Sequence, residues 1–162
     1  MALNAYMKVT GETQGEIQGE TTQKGRENLI MLDEVRHEIV SPRDAASGLP
    51  TGKRQHKPFV VVGEMGKHSP LLLLALTNNE VLTNVKVDFW RPHSSGKEVM
   101  YYTVELTNAS VAWIRNYMQN VRDPRYRQFL HYEEIGFAYQ KIVWNSLTGG
   151  TTAEDDWESP VA

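Results

Sequence analysis

Apolar and polar residues alternate with a period of two along much of the chain. Ala5, Met7 and Val9 alternate with Tyr6, Lys8 and Thr10, and Val85, Val87 and Phe89 with Lys86, Asp88 and Trp90. Met100, Tyr102, Val104 and Leu106 face away from Val99, Tyr101, Thr103 and Glu105. Near the end, Ile135, Phe137, Tyr139, Lys141 and Val143 alternate with Gly136, Ala138, Gln140, Ile142 and Trp144. Runs rich in Val, Tyr, Phe, Trp and Thr with this period predict half-buried antiparallel strands. Arg91–Lys97, with Pro92, Ser94, Ser95 and Gly96, reads as the turn of a hairpin between two of them. In Leu29–Val40 the apolar phase slips between Ile30 and Leu32 on one parity and Val35, His37 and Ile39 on the other, which a long strand with a bulge would explain. The fold class is mainly β.

One helix is predicted. Ser69-Pro70 offers an N-cap followed by proline at the first helical position, and the run Leu71–Leu76 then closes at Asn78-Asn79, where asparagine tolerates the left-handed conformation. Ala109–Met118 is open between helix and strand, and Asn120–His131, with Asp123-Pro124, reads as a loop. Ser41–Lys57 has no periodicity and contains Pro42, Pro50, Gly48 and Gly52. A loop of this length in a compact domain tends to be functional or disordered. It carries Arg43, Lys53, Arg54 and Lys57 against Asp44 alone, whereas the tail Thr151–Ala162 carries Glu154, Asp155, Asp156 and Glu158 with no basic residue. A basic loop and a flexible acidic tail on one chain suggest head-to-tail contact between copies; the plainer reading is two solvated surfaces.

Composition narrows the function classes. The 162 residues fit one domain, spanning 1–162, that is large enough to bury a core without a metal or disulfide. Cysteine is absent, which removes disulfides, thiolate nucleophiles and Cys-ligated metal sites. A net charge of −3 disfavours a nucleic-acid partner, and the longest apolar run, Leu71–Leu76, is too short to cross a membrane as a helix. Met1–Thr10 lacks the basic and apolar regions of a secretory signal, so synthesis and folding are expected in the cytoplasm. Gly48-Leu-Pro-Thr-Gly52-Lys53-Arg54 falls short of a phosphate loop: the glycines are too close, Arg54 replaces the metal-binding hydroxyl residue and Pro50 removes an N–H. His37, His56, His68, His93 and His131 have no ligand spacing and are expected in turns or facing solvent. Glu133 and Glu134, adjacent on a strand, point to opposite faces and make a poor acid–base pair. The repeat Gly11-Glu12, Gly15-Glu16, Gly19-Glu20 reads as a turn and strand edge, and Asn108-Ala109-Ser110 matches a glycosylation sequon. No catalytic, cofactor or metal residues are assigned, and the chain is not read as an enzyme.

The segment Val40–Pro58 (VSPRDAASGLPTGKRQHKP), the opening Ala5–Gly15 (AYMKVTGETQG) and the ending Thr152–Trp157 (TAEDDW) closely resemble the Hcp family. These are haemolysin-coregulated proteins, the tube subunits of type VI secretion systems in Gram-negative bacteria. Ser69-Pro70-Leu71, Phe89–Pro92, Tyr101–Thr103, Leu106–Ser110 and Tyr139–Ile142 match as well. The resemblance covers nearly the whole chain, apart from Leu29–Val35 and Arg125–His131. It implies a two-sheet β-barrel with one short flanking helix and a long protruding loop, assembling into hexameric rings. The rings would stack into a tube that meets a spike protein, lies inside a contractile sheath and carries small effectors in its lumen, leaving the cell without a signal peptide. Within that picture the loop is the natural stacking device. Arg43, Asp44, Ala45, Ala46, Leu49, Pro50, Lys53 and Arg54 are its candidate contact residues, with Gly48 and Gly52 allowing its turns. Two other readings stand beside it: a secreted effector or toxin on the same scaffold, and a small-molecule-binding β-barrel.

Overall fold

The computed structural model describes residues 3–158. Twelve strands occur in the order β1 (Ala5–Gly11), β2 (Gly15–Ile17), β3 (Ile30–Leu32), β4 (Glu34–Arg36), β5 (Ile39–Val40), β6 (Gln55–His56), β7 (Phe59–Glu64), β8 (Leu82–Pro92), β9 (Glu98–Tyr117), β10 (Tyr132–Ala138), β11 (Lys141–Ser146) and β12 (Thr151–Asp156). Helix α1 (Ser69–Thr77) lies between β7 and β8, and a 3₁₀ turn spans Pro124–Tyr126. Ten strands form one antiparallel path, β2-β1-β8-β9-β10-β7-β4, with β3 added to β1, β11 to β9 and β12 to β11; β5 and β6 pair separately. The hairpin predicted at Arg91–Lys97 is the β8–β9 turn, and Ala109–Met118 resolves as the second half of β9.

The path folds into two sheets that share β9. Up to Thr107 this strand pairs with β8 and β11, with a last β8 pair between Ala109 and Leu82; from Ser110 onward it pairs with β10. Asn108 marks the change, at φ +49°, a left-handed conformation that asparagine accepts better than most residues. The inward parity changes there from Val104 and Leu106 to Ala109 and Val111, so both halves feed one core. Val9, Val85, Val61, Ile135 and Phe137 come to the same core from the other strands, all with almost no exposure.

Several expectations need correction. Leu29–Val40 is not one bulged strand. Its phase slips because the chain changes partners: β3 pairs with β1, Asp33 N–H donates to Val62 O at 2.8 Å, and β4 pairs with β7. This short segment brings the two edges of the path together. The alternation from Ile135 to Trp144 also breaks, at Tyr139-Gln140, where the chain passes from β10 on one sheet to β11 on the other. Residues 151–156 of the acidic tail are strand β12, laid antiparallel on β11, and residues 159–162 lie outside the described part.

Helix α1 forms where the leucine run predicts it, and Asn79 closes it at φ +51°. Its N-cap, however, is His68, and Pro70 lies one position further in, where its missing N–H is still one of the unpaired groups of a helix start. The Ser69 hydroxyl instead accepts the Gly66 N–H at 3.0 Å, stitching the turn before the helix. Ser69→Ala should therefore lower thermal stability through that contact, by about 0.5–1.5 kcal/mol.

Candidate functional site

Between β4 and β7 the chain leaves the barrel as an ordered hairpin rather than an irregular loop. β5 and β6 pair through Ile39–His56 and Val40–Gln55, and Lys57 N–H donates to Glu38 O at 3.0 Å. Further out, Thr51 N–H donates to Pro42 O and Arg43 bridges to Pro50. At the tip, Asp44 N–H donates to Leu49 O and Gly48 N–H to Asp44 O, both at 2.8 Å. The Asp44 carboxylate accepts the Ser47 N–H and hydroxyl at 2.9 and 2.6 Å, and Gly48 takes φ +71°. An aspartate opening a turn and a glycine at the left-handed position are the residues such a tip requires. Among the described residues, every hydrogen bond of 41–53 stays inside this arm.

The eight candidate contact residues divide in two. Arg43, Asp44, Ala45, Ala46, Leu49, Pro50 and Lys53 all lie exposed along the outer arm, with Leu49 at 65% exposure. Arg54 lies apart from them, half-buried at the root, where its Nε donates to Asp155 Oδ2 and its Nη2 to Asp156 O. Basic loop and acidic tail thus meet within one chain at this point.

The root is a polar chain of five residues from four parts of the fold. His37 Nε2 lies 2.8 Å from the Tyr139 hydroxyl, which lies 2.6 Å from His56 Nδ1; His56 Nε2 in turn lies 2.6 Å from Asp155 Oδ2. With both rings neutral the protons have one consistent arrangement: His37 Nε2–H donates to Tyr139, Tyr139 O–H to His56 Nδ1, and His56 Nε2–H to the carboxylate. Trp157 lies over His56 with ring centroids 5.0 Å apart. Arg54, then His56, holds the Asp155 carboxyl below its usual range, while burial and the Asp155 charge push the Tyr139 hydroxyl far up, so it keeps its proton. His37 is held below its usual range, first by burial and then by His56.

The sign of the pH dependence follows. Folding favours neutral His37, so its stabilising effect is complete above the unfolded value of about 6.5 and is lost as pH falls from there through the depressed folded value. Arm amides should therefore show less protection at pH 5 than at pH 7.5 in hydrogen exchange corrected for intrinsic rates. His37→Gln, which keeps a donor for Tyr139, should remove most of that difference. Equal corrected protection at the two pH values in the unmodified chain would rule out His37 as the sensitive group.

The sequence model of the family described as type VI secretion system effector, Hcp, matches residues 6–145. The chain belongs to the Hcp family. It is 43% identical over 171 aligned positions to the major exported protein of Pseudomonas aeruginosa, covering 100% of this chain and 99% of that one. Its fold matches the crystal structure of an Hcp protein with a TM-score of 0.91 at 34% identity, over 98% of this chain and 100% of that one. The secreted protein Hcp3 of Pseudomonas aeruginosa matches at TM-score 0.79 and 36% identity, again over 98% and 100%.

In this Hcp chain the histidines depart most from expectation. His56 and His68 have almost no side-chain exposure and His37 is half-buried, so three of the five are structural rather than solvent-facing. A usable signal was present for two of them: His37 stands just before the aperiodic segment and His56 at its end, where the chain leaves and re-enters the barrel. Tyr139 and Asp155 carried no such signal, because their roles depend on which strands become neighbours.

Proposed function

We propose that this chain is the ring subunit of a type VI secretion tube. Six copies close a ring through free strand edges, rings stack through the arm, and small effectors ride in the lumen. The tube is capped by a spike protein and driven by a contractile sheath; it assembles in the cytoplasm and then leaves the cell. Its work is mechanical rather than catalytic. The arm is the observation that carries this reading: an ordered hairpin fixed at its root, with an exposed apolar and basic outer part, has no partner for that outer part among the described residues of its own chain. Edge strands supply the other support. β2 and β12 each have one hydrogen-bonded neighbour, and cyclic self-association is a route by which such edges are covered.

Native mass spectrometry at micromolar concentration should show six copies of the 18.4 kDa chain, and a monomer alone would overturn the ring. Replacing Ala45–Lys53 with a Gly/Ser linker of equal length should leave that mass intact, because surface loops contribute little to the core. Bacteria carrying the variant should accumulate it and fail to export it. Normal export with an intact hexamer would remove the arm from the stacking surface. Lys53→Ala alone should weaken stacking modestly, less so at high salt, as an exposed charge does.

A further inference from the structure

A cleft of about 340 Å³ opens between β1, β3, the Glu20–Gln23 loop and the turn after β7. Its wall includes the carboxylates of Glu20 and Glu64 and contains no lysine or arginine. Two methionines flank it, Met31 at 49% and Met65 at 37% exposure, and methionine is a side chain suited to taking up varied apolar shapes. Asp33, which lines a neighbouring cleft, has its carboxyl pushed up first by burial and then by the charge of Glu64.

The cleft is held open. Buried Arg26 donates to Gln23 at 3.1 Å, to Tyr6 at 3.2 Å and to Glu98 at 2.6 Å, and its guanidinium lies 3.9 Å above the Trp90 ring, which fixes the loop forming one wall. Across the cleft, Glu20 Oε1 accepts the Lys67 N–H at 3.1 Å. At Gly66 a Cβ would stand 3.3 Å from the His68 ring and 3.4 Å from the Glu20 carboxyl carbon, so glycine preserves the space. His68, also in the wall, is 5% exposed, and its Nδ1 has no hydrogen-bond partner among the described residues.

The outer arm has the complementary chemistry: Leu49 and Pro50 are apolar, Arg43 and Lys53 are cations, and the one acid, Asp44, is consumed by its own turn. β7 connects the two features. It begins at Phe59 beside the arm root and ends at Glu64 in the cleft wall, so they lie at opposite ends of a strand roughly 17–20 Å long. An arm leaving one end of the barrel is badly placed to fill a cleft at the other end of the same chain, but it is well placed to fill that of the next copy.

We infer that this acidic, methionine-flanked cleft is the seat for the arm tip of a second copy of the chain. The inference rests on the stacking reading above and names its receptor. The contact is heterologous, so it repeats without closing and builds a stack of open length.

Because the chain has no cysteine, single cysteines report the contact cleanly. Rings of Leu49→Cys mixed with rings of Met65→Cys under mild oxidation should give disulfide-linked dimers. Leu49→Cys mixed with Leu74→Cys, an exposed control on α1, should give at least tenfold fewer. Glu20→Gln/Glu64→Lys, which keeps an acceptor for Lys67 N–H, should reduce stacking at low salt about tenfold in sedimentation velocity. Combining it with Arg43→Glu/Lys53→Glu should restore much of the loss. Preferential linkage to Leu74→Cys would overturn the cleft. So would full stacking by the Glu20/Glu64 variant while the Gly/Ser arm abolishes it, and the stacking role of the arm would then stand. Normal stacking by the Gly/Ser arm would remove both.

Discussion

Leu72→Asp is expected to leave the chain without a folded barrel. Helix α1 has nine residues, too few to persist without tertiary packing, and Leu72 is the leucine of its run with no exposure at all. Truncating a buried leucine to alanine alone costs about 2–5 kcal/mol. A carboxylate at that position adds the loss of hydration without a partner, so the total approaches the whole stability of an ordinary domain, about 5–15 kcal/mol. Leu71→Asp and Leu74→Asp serve as controls on the same helix. Their leucines are 38% and 45% exposed, and changes at such positions should stay within about 1 kcal/mol. Thermal melts and soluble yield decide the matter: an unchanged melt for Leu72→Asp would mean that the helix does not close the core.

The second large effect is expected at Glu133, which sequence spacing marks only as half of an unpromising acid pair. Its side chain is 1% exposed and stands 2.6 Å from His68 Nε2, yet neither carboxylate oxygen receives a well-directed hydrogen bond. Breaking a buried pair leaves the other partner desolvated and alone, at a cost of about 3–5 kcal/mol. Glu133→Ala should therefore destabilise strongly. His68→Leu/Glu133→Leu, which removes both polar groups and fills their space, should cost far less than the single change and can even stabilise. A double variant as damaged as Glu133→Ala would show that the pair is needed for packing geometry and not merely to satisfy each other's polar atoms.

These two sites show where local pattern is informative. The period-two runs locate β1, β8, β10 and the first half of β9, because alternation on a half-buried strand is a property of that strand alone. The leucine run with its closing asparagines locates α1 for a similar local reason. The partner change at Asp33 and the break at Tyr139-Gln140 are different in kind: each is a decision about which neighbour to pair with, made across long sequence separations. The arm was legible as an aperiodic insertion with turn residues in place, whereas its root was not. His37, His56, Tyr139 and Asp155 come from widely separated segments, and only the completed barrel brings them together.

The bend at Asn108 sets where this chain can change length. Both sheets hang on β9, and the left-handed Asn108, followed by a bulge at Ala112, sets which residues of its second half face the core. Removing Asn108 would bring Ala112 and Arg115 to the positions now held by Val111 and Ile114, and adding one residue between Val104 and Val111 would bring Ser110 and Trp113 there. Every downstream pair with β10 would then be inverted. Insertions and deletions should therefore be tolerated in exposed segments outside the shared ladder, such as the outer arm and Met118–His131, and be nearly lethal to folding within this one strand.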